Sequence, residues 1–123
     1  MDEPRIYDLE ERLISFALQV LEVSEILTKT YAGNHISGQI IRSGTSPALN
    51  YGEAQAAESS KDFIHKMGII LKELRETSIS LMIIIRKPLA SDINVVQKCL
   101  NECQELIAIF ASSIKTAKSR NLK

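Results

Sequence analysis

Apolar residues recur along this chain in steps of three and four. In the first segment Ile6, Leu9, Leu13, Phe16, Val20, Val23 and Leu27 keep these steps, the spacing of a helix packed lengthwise on others. The pattern predicts a first helix over about 8–28, followed by a turn over 30–34. Gly33 and Asn34 would supply the left-handed conformations of that helix stop. A second helix is expected over about 35–58 on a weaker stripe, Ile36, Ile40, Pro47, Tyr51 and Ala54. Pro47 removes a backbone donor and frees the carbonyl of Ser43, so this helix should kink near Pro47. Ser46 as a cap before Pro47 would equally suit a fresh helix start.

Ser59 and Asp62 stand at capping-box spacing and open a third helix, over about 60–86. It carries Phe63, Met67, Ile70, Leu74, Thr77, Leu81 and Ile84, widened by Ile64, Leu71 and Ile85. Arg86 and Lys87 suit the negative helix end, and Pro88 stops it. A fourth helix, over about 91–118, opens at Ser91-Asp92 and carries Ile93, Val96, Leu100, Cys103, Ile107, Phe110 and Ile114. Val95, Cys99, Leu106 and Ile109 broaden its stripe, and a basic tail over 119–123 should fray. Short connections between long helices predict an all-α, antiparallel, up-down-up-down four-helix bundle forming one domain. The wide apolar faces of the third and fourth helices exceed what one interior consumes, which predicts a homo-oligomer.

The length of 123 residues fits one domain. Ordinary hydrophobic content with scarce Gly and Pro excludes disordered, collagenous and disulfide-scaffold classes, and low aromatic content with abundant Ile, Leu, Ala, Glu and Lys points to helices. Fifteen cations balance fifteen anions, which excludes indiscriminate coating of nucleic acid. The balance hides a gradient, from −4 over residues 1–30 and −1 over 31–58 to +3 over 59–87 and +2 over 88–123. These halves would complement each other across subunits, or serve as ordinary solvated faces. The charged start Met1-Asp2-Glu3-Pro4-Arg5 has no apolar run behind it, and Leu81 to Ile85 is too short for a membrane span. Cys99 and Cys103 lie four apart on the core stripe, where reduced, buried thiols are expected. A cytoplasmic protein without membrane contact is the expectation.

Candidate chemistry is sparse. A di-metal bundle needs two Glu-x-x-His pairs, and the nearest match is one Asp62-x-x-His65. The glycines fit no phosphate loop, no nucleophile elbow exists, and the thiols fall on the core stripe. The sequence therefore predicts no catalytic residue, no cofactor and no metal. The unusual stretch is 39–58, where Arg42, Ser46, Asn50 and Glu53 fall on one polar ribbon of a continuous helix. Gly44, Ala48, Gly52 and Ala56, spaced by four, offer a smooth face for a neighbouring backbone. The ribbon reads either as a hydrogen-bonded network that fixes helix register or as a recognition surface built on Arg42.

Several multi-residue motifs carry a resemblance. They are Tyr7-Asp8-Leu9-Glu10, the run from Gln39 to Ser46, Asn50 to Gln55, Lys61 to Lys66, and Lys72 to Thr77. Over residues 7–117 the chain resembles the bacterial four-helix bundle proteins encoded within intervening sequences of 23S ribosomal RNA genes. That resemblance implies a ring-like homopentamer, and likeness to the basic pentameric accessory protein of diversity-generating retroelements, which contacts reverse transcriptase and nucleic acid. It brings no catalytic residues. It marks Arg42, Ser43, Ser46, Asn50, Glu53 and Phe63 as signature residues with a structural or interface role. The chain departs from relatives in carrying Ser78-Ile79-Ser80 where they often have aromatic residues, and in its neutral charge.

Two non-enzymatic roles follow. A ring would gather copies of Lys115, Lys118, Arg120 and Lys123 into a basic rim for structured RNA. Alternatively, the ribbon or the rim docks a partner enzyme, and the oligomer is a protein-interaction scaffold.

Overall fold

A computed structural model describes residues 6–121, with side chains placed from 8 to 120. Four α-helices follow one another: α1 (Ile6–Glu25), α2 (Tyr31–Gln55), α3 (Ser60–Arg86) and α4 (Ile93–Asn121). The described residues form no strand, and the fold is all-α.

The ends of these helices have local causes. The sequence extends the first helix to about residue 28, but α1 stops at Glu25. Leu27 and Thr28 have left it to meet the α3–α4 connection, where Thr28 N–H donates to the Leu89 carbonyl at 2.7 Å. Ser91 N–H in turn donates to the Ile26 carbonyl at 3.0 Å, around an isolated bridge of Leu27 with Ala90. Two loops are thereby stapled at one end of the molecule. The expected left-handed turn at Gly33-Asn34 is corrected as well, since no described residue has positive φ. α2 begins at Tyr31, four residues before the predicted 35, because Thr30 is the cap and its hydroxyl accepts from Gly33 N–H at 3.1 Å. Gly33 serves close approach instead: a Cβ there would collide with the Thr28 carbonyl oxygen.

α2 runs on through Pro47, with no restart at Ser46. It ends at Gln55, short of the predicted 58, where the Ala56 N–H turns back to the Glu53 carbonyl at 3.1 Å. Ser59 caps α3, accepting from Asp62 N–H at 3.0 Å. Lys87 and Pro88 close it. The Asp92 carboxylate accepts from Asn94 N–H at 3.0 Å at the start of α4, which continues to Asn121 rather than fraying after 118.

One apolar core joins all four helices. Leu13, Phe16, Val20, Ile40, Ile70, Leu74, Leu81, Leu106 and Phe110 are fully buried in it, and Tyr51 meets Phe110 edge to face at 5.8 Å. α2 packs on α1 and α3, and α4 packs on α3 and, more loosely, on α1; the diagonal pairs α1–α3 and α2–α4 keep their backbones apart and share only the core between them. Contacts between α2 and α3 run in opposite numerical order, since Arg42 meets Glu73 and Glu76 whereas Glu53 meets Lys66.

The apolar surplus lies elsewhere than the sequence suggests. Val95 and Ile109 of α4, with Ile64, Leu71 and Ile85 of α3, are all partly buried. Exposed large apolar side chains stand instead on α1 (Ile14, Leu18, Leu21), α2 (Ile41, Leu49) and α3 (Ile79, Ile83), and at Tyr31. The smooth face predicted on α2 also divides. Each step of four turns about 40° past one full turn at 3.6 residues per turn, so Gly44 is buried while Gly52 and Ala56 are exposed.

Candidate functional site

The polar ribbon of α2 pairs with α3 at its two ends, Arg42 and Glu53, and within α2 at Ser46 and Asn50. Arg42 Nη1 donates to Glu73 Oε1 at 3.0 Å, and Nη2 to Glu76 Oε1 at 2.8 Å. The hydrogen bond to Glu76, then that to Glu73, pushes the Arg42 guanidinium above its ordinary range. The Glu73 side chain is only 10% exposed, so Arg42 compensates a carboxylate held largely out of water. One turn on, Asn50 Nδ2 donates to Ser46 Oγ at 2.7 Å and to the Ser46 carbonyl at 3.1 Å. Glu53 pairs with Lys66 at 3.4 Å.

Beneath the ribbon, Ser43 and Thr77 bring their hydroxyl oxygens to 2.7 Å, both buried, and Thr77 lies 2.8 Å from the Glu73 carbonyl. Thr77 has one proton, so when it goes to the carbonyl Ser43 must supply its own to Thr77. Five of the six signature residues are thus partnered inside the chain. The sixth, Phe63, is half-buried at a different place. Replacing Thr77 by valine should cost about 1–3 kcal/mol, because Ser43 loses its buried partner. Adding Ser43→Ala should return part of that loss, as read from chemical denaturation midpoints of the single and double variants.

Phe63 lines an open cavity of about 630 Å³ at the end where α1 and α3 begin and α2 and α4 finish. Leu9, Tyr51, Met67 and Ala117 make its apolar wall, and Arg120 stands at the mouth. Lys115, Lys118 and Arg120 are exposed along the last turns of α4. None of the three forms an ion pair with a described residue. Lys123, the fourth rim candidate, lies outside the described residues.

The sequence reading missed Arg12. Its guanidinium takes Glu102 through two nitrogens, at 2.7 and 3.0 Å, and Glu105 at 2.6 Å, clamping α1 to α4 along their loose seam. The available signal was a lone cation within an acidic helix and two glutamates three apart on another. Cys99 and Cys103 are free and buried, and Cys103 Sγ lies 3.2 Å from the Leu74 carbonyl. Burial, ahead of neighbouring charge, pushes both thiols up to about 12. Such thiols are poor nucleophiles at neutral pH. His65 is exposed, and no group of three or more metal-binding side chains exists among the described residues. No helix of the structure is long and apolar enough to cross a membrane.

Residues 7–112 match the model of the 23S rRNA-intervening sequence protein family. The chain belongs to this family. A solved structure supports the assignment: a protein of unknown function from the S23 ribosomal protein family of Bacteroides thetaiotaomicron, 32% identical, with a TM-score of 0.77. The likeness covers 86% of this chain and 97% of that one. A search of curated proteins finds no match. In this intervening-sequence protein the family match takes in the whole polar ribbon and both clamps, Arg42 and Arg12. It ends before Lys115, so the basic end of α4 lies beyond the matched residues.

Proposed function

We propose that this intervening-sequence protein is a non-enzymatic structural unit of the cytoplasm. Its helices run up and down in alternation with antiparallel neighbours, and it assembles as a ring-like homo-oligomer, five-membered by resemblance. The gathered α4 ends hold structured RNA. The opposite numerical order of contacts across α2 and α3 supports the antiparallel arrangement. A polar ribbon consumed by internal bonds and thiols buried in the core support a structural role over a catalytic one. The observation that carries the RNA reading is the set Lys115, Lys118 and Arg120, exposed at one end and unpaired among the described residues. One such set is weak, but a ring repeats it on one rim, where the fields add.

Electrophoretic mobility shift with structured RNA tests this reading. At about 50 mM salt the protein should retard RNA, and the complex should weaken steeply by about 200 mM. The triple variant Lys115→Ala/Lys118→Ala/Arg120→Ala should bind less tightly and with a shallower salt slope. No retardation at the lower salt overturns the reading. The apolar cavity beside Arg120 favours a second reading, in which a partner protein inserts a side chain there. Co-purification of a protein without nucleic acid would select it.

A further inference from the structure

α1 and α3 sit at opposite corners of the molecule, with no close approach of their backbones. Their outer faces therefore point away from each other, and each carries apolar side chains in water. On α1 these are Ile14, Leu18 and Leu21, at steps of four and three, with Leu18 62% exposed. On α3 they are Ile79 and Ile83, with Ile79 55% exposed, and shallow grooves of about 420 and 560 Å³ meet at Ile79.

The charges framing the two faces are opposite. Glu10 and Glu11 precede the α1 stripe, and Glu22 and Glu25 follow it. Lys72 and Arg75 precede the α3 stripe, and Arg86 and Lys87 follow it. All eight are exposed, and none makes an ion pair with a described residue. Glu76, the acid nearest the α3 face, is held by Arg42. The spacing also matches. The acidic pairs centre on positions 10.5 and 23.5, the basic pairs on 73.5 and 86.5, so each frame spans 13 residues, about 20 Å of helix.

We infer that the outer face of α1 docks on the outer face of α3 in a second copy of this chain, Leu18 against Ile79 between matched charges. The inference rests on the homo-oligomer reading and supplies its contact surface. Two copies meeting through the same face would set acid against acid or base against base, which disfavours a self-complementary dimer. Because the two faces are different, the contact is head-to-tail, the kind that builds a ring when the rotation between successive copies closes. The cations of α3 are then covered, while those at the end of α4 stay open.

The test uses Leu18→Lys and Ile79→Glu in the full chain, each placing a charge where the opposing frame repels it. Light scattering reads mass and circular dichroism checks that both variants remain helical. The wild type should run as an oligomer, and each variant alone should fall to the 13.7 kDa chain. An equimolar mixture should regain at least a two-chain species, because each variant keeps the face the other lacks. Variants that keep the wild-type oligomer, or one that stops at a homodimer, overturn this surface and leave the oligomer reading standing. A monomeric wild type at micromolar concentration overturns the oligomer itself.

Discussion

Gly44→Leu should lower stability by about 3 kcal/mol, the upper end of the usual cost of overpacking a core. A Cβ on Gly44 would stand 2.7 Å from both γ-methyls of Val20, well inside contact distance. Val20 is fully buried on α1, and a β-branched side chain in a helix has one strongly preferred rotamer. Neither methyl can swing aside, so the clash must push α1 and α2 apart. Gly52 is the control on the same helix. A Cβ there meets nothing within 4 Å, and Gly52→Ala should raise stability by about 0.5–1 kcal/mol through backbone entropy alone. A second control lies at Gly44 itself. In a Val20→Ala background the methyls are gone and only the Cβ of residue 20 remains, 3.0 Å from the added one, so Gly44→Ala should cost less than it does in the wild type. Guanidinium unfolding at one fixed protein concentration reads all five variants, Val20→Ala alone included. A Gly44→Leu protein as stable as the wild type would remove the close α1–α2 approach as a determinant of this fold.

This contrast also marks what a single sequence carries. Gly44 and Gly52 look equivalent in the chain, eight residues apart on one proposed stripe. Only the partner helix distinguishes them, because two steps of four rotate Gly52 out of the contact. Gly33 makes the same point at a helix end. Its permissive backbone suggests a left-handed stop, while the fold uses its missing side chain against the Thr28 carbonyl. Steric room and positive φ are both reasons for glycine, and sequence alone does not separate them. Ser59 was legible because its cap acts within four residues, on the Asp62 N–H. The Arg12 clamp was not, because Glu102 lies 90 positions away and neither partner breaks the local pattern.

The candidate site divides along the same line. The spacing of Arg42, Ser46, Asn50 and Glu53 put them on one ribbon, since helical periodicity is local. The partners of the ribbon, Glu73, Glu76 and Lys66 across the α2–α3 contact, with Thr77 on Ser43 beneath it, lie too far along the chain for spacing to reveal them. The exposed stripes of α1 and α3 were hidden for a related reason. Wide apolar faces on α3 and α4 suggested surplus, but α4's face is largely consumed by the core, whereas α1 carries a second stripe opposite its buried one.

Between about pH 9 and pH 12 the wild type should lose stability that a Cys99→Ala/Cys103→Ala variant keeps. Both thiols are raised from an ordinary 9.0 to about 12, burial being the first cause in each. A group raised in the folded state contributes its full stability below the unfolded value and loses it as pH climbs toward the folded one. Above pH 9 the unfolded chain releases both protons, while the folded chain still holds them in the core. Each thiol then favours unfolding by about 1.4 kcal/mol for every further pH unit. Two thiols make this loss larger than any surface pair would produce. Tyr51, also raised by burial, adds an alkaline loss common to both proteins, so the difference between them isolates the cysteines. Denaturant unfolding from pH 7 to pH 11 checks it. The curves should run level below about pH 8 and diverge above 9, with the variant ahead; a constant separation across the range would mean that the thiols titrate alike in both states.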